Sequence, residues 1–184
     1  PRLSKLYFSA EGDLNAVRWN EWKVTLVDTG LNTLKGGRIK RVESFLDSDI
    51  NMLTYGDGVS DVHIKKLLNF HIKNKPIATV TAVNPPVRFG ELEITNDRVT
   101  NFEEKPQAKA GWINGGFFVL EPQVKQYIKS YDEQFEASPM ELLAKEGQLM
   151  AFKHEGFWQP MDTQREMLYL QELWDKDEAP WKTW

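Results

Sequence analysis

The sequence predicts an α/β fold in which a mixed sheet is flanked by helices, and three observations carry that prediction. Residues 51–55 form an apolar run that breaks at Gly56-Asp57-Gly58, continue as Val62, Leu67, Leu68 and His71 or Ile72 at helical spacing, and return as a β-branched run over 77–83. Residues 91–94 and 98–102 flank Asn96-Asp97 as an antiparallel hairpin. A length of 184 residues, 41% hydrophobic and 27% charged, suits one globular domain that buries about 70% of its unfolded surface.

Taken in order, 24–27 is a short apolar strand that runs into Asp28-Thr29-Gly30, and turn material continues to Gly36-Gly37. A helix can begin over 38–45. Residues 51–55 have the pattern of a buried strand, Asp61 is placed to cap the next helix, and Pro76 stops it. The strand, loop, helix, strand order reads as a parallel βαβ unit with a right-handed crossover. Ligands bind open α/β sheets outside the carboxyl ends of such strands, which singles out Gly56-Asp57-Gly58. After Asn84-Pro85-Pro86 and the hairpin, a third strand is expected over 117–120 and a helix over 122–131, opened by Pro122. Ser138-Pro139-Met140-Glu141 matches a capping box, Gly147 ends that helix, and 149–153 returns as a strand. A final helix after Pro160-Met161-Asp162-Thr163 carries Met167, Leu168, Leu170, Leu173 and Trp174 on one face. No repeat or linker divides the chain, so residues 1–184 read as a single domain.

Charge and residue usage exclude several function classes. A formal net charge of -4 leaves no broad basic face for nucleic acid or an anionic membrane, so any phosphate ligand must be held by a few local cations. No apolar run is long enough to span a bilayer. The absence of cysteine removes disulfides, thiolate nucleophiles and Cys-ligated zinc, and it fits a cytoplasmic location. His63, His71 and His154 have no metal-binding spacing, and Ser138 lies in a helix-start pattern instead of a nucleophile elbow. Trp19, Trp22, Trp181 and Trp184 cluster near the ends, where core packing or a contact between subunits is the expected use; a homo-oligomer is expected.

Five motifs occur in a fixed order: Tyr55-Gly56-Asp57-Gly58-Val59, Arg88-Phe89-Gly90, Phe102-Glu103-Glu104-Lys105-Pro106, Ile113-Asn114-Gly115-Gly116-Phe117-Phe118 and Phe157-Trp158-Gln159-Pro160-Met161-Asp162-Thr163. In this set the chain resembles the sugar nucleotidyltransferases of the glucose-1-phosphate cytidylyltransferase family, from about Trp19 to Trp184. The resemblance implies a nucleotidyltransferase-type (Rossmann-like) fold and Mg²⁺-assisted formation of CDP-glucose from CTP and glucose 1-phosphate, which serves bacterial surface dideoxysugars. The family's Gly-rich triphosphate loop has no counterpart between Pro1 and Trp19. The expectation is therefore that the N-terminal strands are missing here, that the native protein is longer or is completed by another chain, and that these 184 residues alone are inactive. A thymidylyl- or uridylyltransferase, or a noncatalytic sugar-phosphate binding fragment, is the alternative.

The chemistry assigns roles within that resemblance. An anionic sugar phosphate must approach an anionic α-phosphate in line, so the protein supplies position and positive charge. By resemblance Asp57 and Asp162 hold Mg²⁺ through oxygen, although locally Asp57 also reads as a turn residue and Asp162 or Thr163 as a helix cap, with Thr163 and Glu166 spaced as a capping box. Lys105 suits the sugar phosphate as a point charge, Glu104 accepts from sugar hydroxyls, and Asn114 can donate and accept. Gly90, Gly115 and Gly116 allow a ligand close to backbone, and Arg88 is a second candidate for a phosphate or hydroxyl. Thr33, Gly37 and Arg38, in Thr33-Leu34-Lys35-Gly36-Gly37-Arg38, resemble the family's nucleotide-binding stretch, and Gly56 is assigned with them.

Overall fold

A computed structural model describes residues 16–19, 22–85, 91–103 and 111–183. In chain order the elements are β1 (Ala16–Trp19), β2 (Trp22–Thr25), α1 (Lys35–Arg41), a 3₁₀ turn (Glu43–Phe45), β3 (Asn51–Thr54), β4 (Gly58–Ser60), α2 (Ile64–Asn74) and β5 (Ala78–Val83). They continue as β6 (Glu91–Thr95), β7 (Arg98–Glu103), β8 (Ile113–Leu120), a second 3₁₀ turn (Pro122–Tyr127), α3 (Ser138–Lys145), β9 (Leu149–His154), β10 (Trp158–Pro160) and α4 (Gln164–Asp175). The chain divides into two compact units, residues 1–51 with 121–148, and residues 52–120 with 149–184.

In the first unit β1 and β2 form an antiparallel ribbon. Helix α1 starts at Lys35, ahead of the expected 38, because Gly36 and Gly37 fit where no side chain would. A Cβ on Gly36 would stand 2.6 Å from the Glu133 carbonyl oxygen, and one on Gly37 would overlap that of Tyr131. Ile39, Val124, Ile128, Phe135, Met140 and Leu143 form the apolar core of this unit. The segment opened by Pro122 is a 3₁₀ turn ending at Tyr127, in place of the longer helix expected over 122–131. At α3 the expected capping box is absent: Ala137 is the N-cap, and its carbonyl accepts from the Glu141 N–H at 2.9 Å. Pro139 tolerates either of the first helical positions, so the helix begins one residue earlier than the motif implies. Gly147, at φ 68, does end it.

The second unit is built on a four-stranded mixed sheet ordered β3-β8-β5-β9, with β5 antiparallel to β8 and parallel to β9. The α/β class and the mixed sheet agree with the sequence. Strands β3 and β5, which flank α2 in the chain as the βαβ reading has them, belong to this one sheet with β8 between them. Residues 115–120 of β8 are almost wholly buried, and only an interior position in the sheet provides that. Strand β3 alternates between half-buried and exposed, as an outer strand does, and is not the fully buried strand expected. Helix α2 packs on one face through Leu67 and His71, whose Nδ1 lies 2.8 Å from Thr79 Oγ1, while Phe70 meets Phe152 edge-on. Its N-cap is His63, which accepts from the Lys66 N–H, not Asp61.

Strands β6 and β7 form the predicted hairpin. Asn96 and Asp97 both take positive φ, 49° and 62°, the conformation a two-residue turn needs to follow the twist of its strands. Helix α4 carries the capping box expected of Thr163 and Glu166. Its apolar face is only partly covered: Leu170 is buried and Leu173 half-buried, whereas Met167, Leu168 and Trp174 are exposed. Among the described residues no helix is long and apolar enough to cross a membrane.

Candidate functional site

Two short strands place the backbones of Asp57 and Asp162 at the same end of one ribbon. β4 and β10 pair antiparallel with Pro160 opposite Gly58, Gln159 opposite Val59 and Trp158 opposite Ser60. The ribbon extends one rung further, where the Met161 N–H donates to the Asp57 carbonyl at 2.8 Å. Asp162 is the next residue, so both carboxylates belong to the same end of the ribbon. Both residues are exposed, and neither carboxylate has a hydrogen bond or ion pair among the described residues. A Cβ on Gly56 would meet nothing within 4 Å among the described residues.

The neighbouring helix start settles what Asp162 does locally. Glu166 Oε2 accepts from the N–H groups of Asp162 (3.0 Å) and Thr163 (2.9 Å), and Thr163 Oγ1 accepts from the Glu166 N–H. The cap is thus Thr163. Asp162 has its backbone fixed by α4 and its carboxylate left over. A pair of unpartnered carboxylates suits a hard cation such as Mg²⁺, which takes one or two protein carboxylates and completes its shell with water and phosphate oxygens. No group of three or more His, Cys, Asp or Glu suited to a metal occurs among the described residues.

The ribbon is tied down through the side chains of its Trp158–Ser60 rung. Trp158 Nε1 donates to the Gly115 carbonyl of β8 at 2.9 Å. At the end away from Asp57, Ser60 Oγ donates to the Phe157 carbonyl (2.8 Å) and lies 3.2 Å from His154 Nε2, which in turn stands 2.9 Å from Asp61 Oδ1.

On β8, Asn114 is exposed and its amide is oriented by two contacts: Oδ1 accepts from the Gly116 N–H at 2.8 Å, and Nδ2 donates to the Tyr55 hydroxyl at 3.1 Å. The two glycines that follow have packing duties. A Cβ on Gly115 would stand 2.7 Å from Val83 Cγ1, and one on Gly116, at φ +80, would stand 2.8 Å from Tyr55 Cδ2. The close approach they permit is to the chain's own side chains. Tyr55 is the residue that sequence reasoning overlooked, and its signal was available as the aromatic directly before Gly56-Asp57-Gly58.

The first unit holds the other predicted group. Arg38 donates from Nη1 to Thr29 Oγ1 (2.5 Å) and from Nη2 to the Leu31 carbonyl (3.1 Å), so its guanidinium is engaged with the loop before α1. Gly37 is buried against Tyr131, and Thr33 is half-buried, its methyl 2.8 Å from where a Gly37 Cβ would be. Arg88, Gly90, Glu104 and Lys105 lie outside the described residues.

Comparison with known proteins identifies the family. The family model described as nucleotidyl transferase matches residues 17–165. The chain is 50% identical over 168 residues to a glucose-1-phosphate cytidylyltransferase of Salmonella typhimurium, covering 91% of this chain and 65% of that protein. It is 37% identical over 164 residues to a probable glucose-1-phosphate cytidylyltransferase of Bacillus subtilis, covering 89% of this chain and 64% of that one. The chain thus spans a little under two thirds of these relatives. Among solved structures, a putative glucose-1-phosphate thymidylyltransferase from Bacillus anthracis superposes with a TM-score of 0.62 at 19% identity, over 89% of this chain and 67% of that one, which speaks for the fold alone. With its sheet, its carboxylate-bearing ribbon and a family match over most of its length, this chain belongs to the nucleotidyl transferase family.

Proposed function

We propose that the protein transfers a cytidylyl group from CTP to glucose 1-phosphate, giving CDP-glucose and pyrophosphate. The observation that carries this reading is the Met161 N–H donating to the Asp57 carbonyl, which sets Asp57 and Asp162 at the same end of the β4–β10 ribbon, with both carboxylates exposed and unpartnered among the described residues. The half-identity to the Salmonella cytidylyltransferase supports the choice of base and sugar. In this reading a phosphate oxygen of glucose 1-phosphate attacks the α-phosphorus of CTP and the α–β phosphoanhydride bond breaks, with pyrophosphate as the leaving group.

The chain's residues would position and neutralise. Asp57 and Asp162 would hold Mg²⁺, which supplies positive charge to the phosphate oxygens and a template for in-line geometry. Asn114 would donate to a sugar hydroxyl, Lys105 would take the sugar phosphate, and Glu104 would accept from hydroxyls. Gly90 and Arg88 complete the proposed sugar-phosphate residues. Thr33, Gly37, Arg38 and Gly56 are proposed for the nucleotide, with Arg38 acting through the Thr29 loop that it organises. A cytoplasmic homo-oligomer acting in the supply of dideoxysugar precursors is the setting this reading implies.

The test is pyrophosphate release with glucose 1-phosphate and Mg²⁺, comparing CTP, UTP and dTTP. Preference for CTP is expected. Equal or higher turnover with UTP or dTTP would replace the cytidylyl assignment by a uridylyl or thymidylyl one.

A further inference from the structure

The Asn114 amide is oriented at both of its ends. Its oxygen accepts from the Gly116 N–H and its nitrogen donates to the Tyr55 hydroxyl, at 2.8 and 3.1 Å. A planar amide has one accepting end and one donating end, so a backbone N–H on one side and a hydroxyl oxygen on the other fix which way round it sits. One Nδ2 hydrogen remains without a partner among the described residues, on a side chain that is exposed.

Tyr55 is itself immobilised. Its N–H donates to the Gly116 carbonyl at 3.0 Å, and its ring lies 5.7 Å from the buried Phe118 ring at 54°. Gly116 lacks the Cβ that would press on Tyr55 Cδ2 at 2.8 Å. Residues 114, 116 and 118 of β8 thereby grip one tyrosine, whose chain continues directly into Gly56 and Asp57. Moving Asn114 relative to Asp57 would require breaking that grip.

We propose that Tyr55 is a positioning residue for sugar binding: its hydroxyl holds the Asn114 amide so that one N–H is presented as a donor to a hydroxyl of the bound sugar 1-phosphate. The inference rests on the reading above that Asn114 lies in the sugar-phosphate site. It adds a residue that acts through Asn114 and that links the proposed sugar and metal positions through one short bend.

The experiment uses the intact chain and needs no turnover. Side-chain amide signals of Asn114 are followed by NMR while the wild type, Tyr55→Phe, Asn114→Ala and the double variant are titrated with glucose, galactose and mannose 1-phosphates. Tyr55→Phe keeps the ring packed on Phe118 and removes only the hydroxyl, so its unfolding midpoint should stay close to the wild-type value. We expect the unliganded Asn114 signals to shift in Tyr55→Phe, and its Kd for the preferred sugar phosphate to rise about fivefold to tenfold. Asn114→Ala should weaken binding at least as much, and the double variant no more than Asn114→Ala alone. Wild-type Kd in Tyr55→Phe, or additive losses in the double variant, would overturn the positioning role while leaving the substrate reading intact. Preference for galactose or mannose 1-phosphate with the same coupling would support Tyr55 and sink glucose as the substrate. Binding of none of the three would overturn both.

Discussion

His154 Nε2 stands 2.9 Å from Asp61 Oδ1, and this pair joins the end of β9 to the end of β4. The Asp61 oxygen is buried and has no aligned hydrogen-bond donor among the described residues, so the contact is mainly electrostatic. Gly156 fits against both partners, since a Cβ there would lie 2.5 Å from Asp61 Oδ1 and 2.7 Å from His154 Cε1. His154→Ala should therefore destabilise the fold, because it removes the ring nitrogen that faces the Asp61 oxygen, the Ser60 hydroxyl and the Phe157 carbonyl. Gly156→Ala should be destabilising as well. Urea unfolding midpoints measure both, and an unchanged midpoint in His154→Ala would show that the contact contributes nothing.

Two glycines with similar backbone angles should respond differently to alanine. Gly116 (φ +80) faces the Tyr55 ring, whereas Gly147 (φ +68) has nothing within 4 Å of its would-be Cβ. Gly147→Ala should cost about 1 kcal/mol, from the left-handed conformation alone. Gly116→Ala should cost more, because Tyr55 must also move, and it should release the Asn114 amide. Thermal unfolding of the two variants in parallel provides the comparison.

Asp162 and Thr163 are adjacent, but their substitutions should separate stability from metal binding. Thr163→Ala removes the side-chain cap of α4 and should cost about 1 kcal/mol. Asp162→Asn leaves the cap intact and should barely move the unfolding midpoint, yet it should weaken Mn²⁺ binding measured by electron paramagnetic resonance. Asp57→Asn should do the same. In a catalytically complete preparation either change should lower metal-dependent turnover on the order of 10²-fold or more. Unaltered Mn²⁺ binding in both variants would refute the metal assignment.

The Tyr127 hydroxyl donates to Glu146 Oε2 at 2.6 Å, and this hydrogen bond, aided by burial and by the carboxylate's charge, raises the phenol's pKa above its ordinary value. A raised pKa in the fold means the contact stabilises fully below the ordinary phenol range and is lost as pH climbs through the raised value. Ultraviolet titration should show one late-ionising tyrosine that disappears in Tyr127→Phe and ionises earlier in Glu146→Gln.

The features legible in the sequence are those set by neighbours along the chain. Asn96-Asp97 announced its hairpin because both residues tolerate positive φ, and Thr163 with Glu166 announced a helix start because their spacing alone lets them cap each other. Ser138 misled because Pro139 fits the first or the second helical position equally, so the motif leaves the start uncertain by one residue. Long-range pairings left no comparable trace. The insertion of β8 between β3 and β5 depends on which strand best fills the sheet interior, and the placing of Asp57 and Asp162 at the same end of one ribbon depends on two three-residue strands too short to carry a periodic signal. Gly115 and Gly116 were read as ligand clearance because a glycine that admits a ligand and one that admits Val83 or Tyr55 look alike in sequence.

The interior place of β8 has a consequence for how the chain folds. Strand β5 leaves the ribosome before both of its partners, since β8 follows the β6–β7 hairpin and β9 follows α3. Until then its apolar residues have only α2 to shelter them. Sheet closure must therefore wait for contacts distant along the sequence, which makes folding slow. A chain stalled before β8 emerges would present an unpaired, aggregation-prone strand to chaperones.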